Sequence, residues 1–95
     1  MQGISMTELC ERIMHLHEAE FIYDGATYIL QPIANNEKAW LVMDCVDTSK
    51  RLYRHEIPMH GDIPQSVIDA VLSEKCFNGK SFMEIEQKIT VTAIY

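Results

Sequence analysis

The side chains with the most chemical reach here are a Gly79-Lys80-Ser81 triplet, four histidines, three cysteines and fourteen carboxylates. The triplet resembles the end of a phosphate-binding loop, where backbone N–H groups wrap an anion at a helix start and a lysine neutralises it. That loop needs a glycine five residues before Gly79, and Glu74 stands there. The preceding residues read as helix where a strand is required, so the triplet is expected to be a turn and a helix cap. His15 and His17 project about 200° apart on a helix, Cys10 and His17 lie two turns apart, and His55 and His60 flank a proline turn without zinc-type spacing around them. No metal and no cofactor is expected. A thiol beside a base would make a nucleophile, and strand alternation permits one such pair, Cys45 with His55. Cys45 shares its side with Leu41 and Met43, however, in the pattern of a buried structural thiol. Asp44 and Asp47 flank a turn and read as solvated. No catalytic residue is assigned, and the chain is expected not to be an enzyme.

The elements that carry these residues follow from local signals. Ser5-Met6-Thr7-Glu8 fits a capping box, and Leu9, Ile13 and Leu16 recur at helical spacing, predicting a helix from about Met6 to His17. Glu20–Tyr23 and Ala26–Leu30 flank Asp24-Gly25, the residue pair that a type I′ turn favours. A two-residue loop pairs Tyr23 with Ala26 and Phe21 with Tyr28, so Phe21, Tyr23, Tyr28 and Leu30 share one face, the better candidate for the core. Ala39–Val46 reads as a third strand and Arg51–Ile57 as a polar fourth strand at an edge, where Lys and Arg discourage sheet-to-sheet pairing. Asp62 is expected to cap a second helix carrying Val67, Ile68, Val71 and Leu72. Ser81–Glu84 opens a short third helix to about Gln87, and Ile89–Tyr95 alternates as a final strand. The result is an α+β domain over residues 1–95, ordered α-β-β-β-β-α-α-β, with helices on one face of an antiparallel sheet. A meander with apolar residues on both sides has more apolar surface than one helix layer covers, leaving a remainder for other helices or a partner.

Composition narrows the function. The 95 residues are 47% apolar and 23% charged, which excludes general disorder. Eight Lys and Arg against fourteen Asp and Glu leave a charge of −6, which argues against direct binding of nucleic acid through phosphate neutralisation. Three cysteines without a C-x-x-C pair argue against a disulfide framework and for a reducing, cytoplasmic setting. There is no basic n-region before an apolar run and no membrane-length apolar stretch, so neither a secretory signal nor a membrane span is expected. Residues 1–49 hold eight carboxylates against Arg12 and Lys38, an acidic surface that would steer a basic partner. The residues expected to contact such a partner are Glu11, Glu18, Glu20, Asp24 and Glu37. Arg51, Tyr53 and Arg54 are added from the one basic cluster, because Arg and Tyr are favoured at interfaces.

Two segments carry a resemblance. Phe21-Ile22-Tyr23-Asp24-Gly25-Ala26-Thr27-Tyr28 resembles the aromatic hairpin of short, acidic, mostly uncharacterised bacterial proteins, many encoded near mobile elements. Phe77-Asn78-Gly79-Lys80-Ser81-Phe82-Met83-Glu84-Ile85 resembles their turn-to-helix segment. Size, charge and element order are also similar to those of small phage-encoded inhibitors of the anti-CRISPR type. The resemblance implies a fold and supplies no catalytic motif. The expected function is a non-enzymatic protein-binding module, in its sharpest form an inhibitor of a bacterial nucleic-acid-handling protein such as a CRISPR nuclease. The alternative is a structural or regulatory homo-oligomer, such as a homodimer, paired through the Arg51–Ile57 edge.

Overall fold

Ser5 opens the first helix of the computed structural model, which describes residues 1–95. Its hydroxyl accepts the Glu8 N–H at 3.1 Å, satisfying one orphan donor of the helix start. The other half of the expected capping box is missing, because the Glu8 carboxylate turns to Arg12, 3.9 Å away. Helix α1 spans Met6–Met14 and ends before the expected His17. The His17 N–H reaches back to the Arg12 carbonyl and the Leu16 N–H to the Ile13 carbonyl, both at 3.0 Å, a Schellman closure. That closure requires a left-handed residue, usually glycine, and here Leu16 takes it with φ 69°. Leu16 therefore leaves the Leu9–Ile13 stripe and remains 44% exposed.

Asp24 and Gly25, with φ 51° and 78°, turn strand β1 (Ala19–Tyr23) into β2 (Ala26–Ala34) in the expected register, Tyr23 opposite Ala26 and Phe21 opposite Tyr28. The meander continues through β3 (Ala39–Cys45) and β4 (Lys50–Ile57). Strand β5 (Thr90–Ile94) returns to pair antiparallel with β1, giving the order β4-β3-β2-β1-β5. The β3–β4 ladder slips once: Met43 faces Tyr53, but Asp44 faces Arg51, leaving Leu52 as a bulge. A bulge inserts one residue and re-aims its neighbours, so Arg51 joins Asp44 on the side opposite Tyr53.

Helix α2 (Gln65–Ser73) begins behind Pro64, which has no side chain able to cap it. Asp62, expected in that role, pairs instead with His15 at 3.1 Å, and the Ile63 N–H bonds the Met14 carbonyl at 2.9 Å. Both contacts moor the start of α2 to the end of α1. After α2, Asn78 and Gly79 make a second left-handed turn, across which Phe77 and Lys80 exchange backbone bonds of 2.9 and 3.1 Å. Ser81 then forms a complete capping box with Glu84 and starts α3 (Phe82–Ile85), followed by a 3₁₀ turn, Glu86–Lys88. The Gly79-Lys80-Ser81 triplet is thus divided between a turn and a cap.

All helices lie on one face of the sheet. Leu9, Ile13, Ile68, Val71, Leu72, Phe82 and Ile85 meet Ala19, Phe21, Leu30, Leu41, Met43 and Ile57 in one buried cluster. Phe21 is its aromatic centre, stacked on Tyr28 at 5.4 Å and edge-on to Phe77 and Phe82 at 6.1 and 5.2 Å. No helix is long and apolar enough to cross a membrane.

Candidate functional site

The residues that sequence reasoning grouped by charge are dispersed by the fold. Glu11 is exposed on α1, Glu18 sits in the loop before β1, and Glu20 lies on the uncovered side of β1, where it accepts the Thr92 hydroxyl at 2.9 Å. Asp24 is at the tip of the β1–β2 hairpin and Glu37 at the tip of the β2–β3 hairpin. The length of β2 separates these two tips, about 26 Å at strand rise. The basic cluster divides as well. Tyr53 faces the helices, where its hydroxyl donates to the Val71 carbonyl at 3.3 Å and burial pushes its ionisation far up. Arg54 faces the other way and covers the Trp40 ring at 5.2 Å. Arg51 chelates Asp44 at 2.8 and 3.2 Å, and this contact, with help from the Gln31 amide, holds the Asp44 carboxyl below its usual range.

The Cys45–His55 pair does not assemble. His55 stands opposite Leu41 and Cys45 opposite Lys50, about four residues or 13 Å apart along the ladder. The His55 Nε2 instead meets Glu74 at 2.8 Å, latching the end of α2 to β4. Cys76, in the same corner, has its thiol pushed up to about 11 by burial, away from the thiolate character that reactivity needs. No three of the histidines, cysteines and carboxylates come together as metal ligands.

A different set of residues does converge. Met6, Cys10 and Met14 recur every four residues and form a second stripe on α1, beside the buried Leu9–Ile13 stripe. Together with α2 they line two adjoining hollows of about 370 and 270 Å³ that share Met6 and Cys10. Met83 from α3 closes one end, and buried Leu72 forms part of the floor. Glu11 and Gln65 border one hollow and Asp69 the other. Burial, with the Asp69 charge nearby, pushes the Cys10 thiol up. Neither Glu11 nor Asp69 has a cationic partner; Asp69 accepts only the Gln65 amide, at 2.9 Å. The available signal in the sequence was the four-residue spacing of Met6, Cys10 and Met14, overshadowed by the stronger Leu9–Ile13–Leu16 pattern.

The opposite face of the sheet carries no helix. Ile22, Ile29, Ile33, Trp40, Val42 and Ala93 alternate with the core-facing residues and lie on this side. The α1–α2 hollows and this helix-free side thus lie on opposite faces of the domain. The chain matches no protein-family model, no curated protein and no solved structure.

Proposed function

We propose that the chain is a non-enzymatic protein-binding module that seats a basic amphipathic helix of another protein in the groove between α1 and α2. One observation carries this reading: a methionine-lined floor is bordered by two carboxylates, Glu11 and Asp69, that no cation of the chain neutralises. Methionine is flexible and polarisable, so Met6, Met14 and Met83 can mould to an apolar stripe. An amphipathic helix laid between two others is a common recognition mode, with apolar anchors below and charge at the rim. Glu11 is the member of the expected acidic set that borders this groove. In the inhibitor form of the proposal, the bound helix belongs to a bacterial nucleic-acid-handling protein, whose phosphate-facing helices are rich in Lys and Arg.

The test uses a fluorescently labelled amphipathic helix of leucine and lysine as probe, followed by anisotropy. Saturable binding that weakens with salt is expected, and a scrambled peptide of equal composition should bind far less. Exposed ion pairs contribute up to about 1 kcal/mol each, so the Glu11→Lys/Asp69→Lys double variant should lose roughly tenfold in affinity. Equal binding of the scrambled peptide, or an unchanged double variant, would overturn the assignment.

A further inference from the structure

We infer that two copies of this chain pair face to face through the helix-free side of the sheet. The apolar residues there are too many and too close together for an ordinary solvated strand surface. Ile22 is 40% exposed, Ile29, Ile33 and Trp40 are half-buried, and Val42 is sealed from solvent by its own neighbours. Antiparallel sheets with one solvated face normally alternate apolar-in and polar-out, and β2 breaks that rule at both Ile29 and Ile33.

Charge selects the occupant. The molecule carries −6 overall, yet Glu20, Asp44 and Glu56 on this face are matched by Lys38, Arg51 and Arg54. Asp44 is held by Arg51 at 2.8 Å and Glu56 by Lys38 at 3.5 Å. What remains is one carboxylate, Glu20 on β1, and one guanidinium, Arg54 on β4, neither with an ionic partner in its own chain. A strongly basic or acidic partner finds no net charge here, whereas a second copy supplies the complement of both groups. A two-fold axis running along the strands through central β2 lays β4 of one copy across the β1–β5 side of the other. Arg54 of each copy then faces the side that carries Glu20 of the other, and Ile29 and Ile33 meet their equivalents near the axis. Such an interface is isologous, the same patch used twice.

The area is sufficient. Five strands and a typical strand length span about 24 Å by about 23 Å, a footprint near 550 Å² on each copy. Two such footprints exceed the roughly 1,000 Å² that a specific interface requires. Sheets packed in this way sit about 10 Å apart, within reach of an arginine from one to a carboxylate on the other. Both α1–α2 grooves face outward in this dimer, so if the reading of the groove holds, the assembly is bivalent and gains avidity for a partner with two basic helices.

Sedimentation velocity on the full chain, from low micromolar to submillimolar concentration, tests the pairing. A reversible, concentration-dependent dimer is expected. Ile29→Asp, which places facing carboxylates at the axis, should leave a monomer with unchanged circular dichroism. Arg54→Glu should weaken the dimer about tenfold, and adding Glu20→Arg should restore it. A monomer across the whole range overturns the inference. So does a dimer that survives both single variants, which would assign association to the β4 edge. Titrating the leucine–lysine probe into Ile29→Asp keeps the two proposals separate: groove binding persists there whether or not the sheets pair.

Discussion

Phe21 and Ile22 are neighbours in one strand, both apolar, and the fold uses them in opposite ways. Phe21 is 1% exposed at the centre of an aromatic cluster, while Ile22 is 40% exposed on the bare side. The helix-facing side holds the fold together by dense apolar packing around Phe21. The bare side relies on lateral contacts within its own surface: Arg54 over Trp40, Arg51 and Gln31 on Asp44, and Val42 sealed between them. Strand alternation creates both sides equally. Three helices decide which becomes interior, and the other is left to find a covering elsewhere.

That contrast predicts a large asymmetry in stability. Phe21→Ala removes a fully buried aromatic and should cost about 3–5 kcal/mol, whereas Ile22→Ala in the dilute chain should stay within about 0.5 kcal/mol. Urea midpoints for the pair measure the difference, and equal losses would mean that the two sides are energetically alike. Val42 sharpens the comparison, because it lies on the bare side yet is inaccessible. Removing its two methyl groups in Val42→Ala should cost about 1.5 kcal/mol at low protein concentration. A loss as small as that of Ile22→Ala would show that the lateral contacts above it provide no real burial.

The smallest effect is in acid. Arg51 lowers the folded-state pKa of Asp44 relative to the unfolded value. The resulting stabilisation is present above the unfolded carboxylate value of about 3.9 and is lost as pH falls through the folded value. Stability should therefore decline on acidification below about pH 4, less steeply in Asp44→Asn. Glu84, held down by Lys75 and Ser81, keeps part of that decline in the variant. Superimposable pH profiles for the two proteins would remove Asp44 from the account.

Local chemistry made much of this fold readable in advance. Asp24-Gly25 fixes the first hairpin and its register because the turn and the paired residues Ala19–Leu30 lie within a dozen positions, and Ser81 with Glu84 marks α3 for the same reason. The failures share a different cause. Leu16 ends α1 in a left-handed conformation that glycine would have announced. The bulge at Leu52 breaks the alternation of β4 and puts Arg51 on the side opposite Tyr53. The pairing of β5 with β1 joins residues about seventy positions apart, and no local pattern reports it. The candidate groove was half legible: Glu11 came from charge, but Asp69 and the methionines acquire meaning only once α2 lies beside α1. Position along the chain does not report which carboxylates lie together, because successive hairpin tips such as Asp24 and Glu37 point to opposite ends of a sheet.

The pairing of β1 with β5 also sets an order of events. The meander from β1 to β4 is built from adjacent segments, whose contacts close short loops and can form early. Phe21 opposite Val91 and Ala19 opposite Ile94 close about three quarters of the chain and form late. Until they do, β1 is an exposed edge with a row of unpaired backbone N–H and C=O groups. The vulnerable interval in folding therefore belongs to β1, an interior strand of the finished sheet.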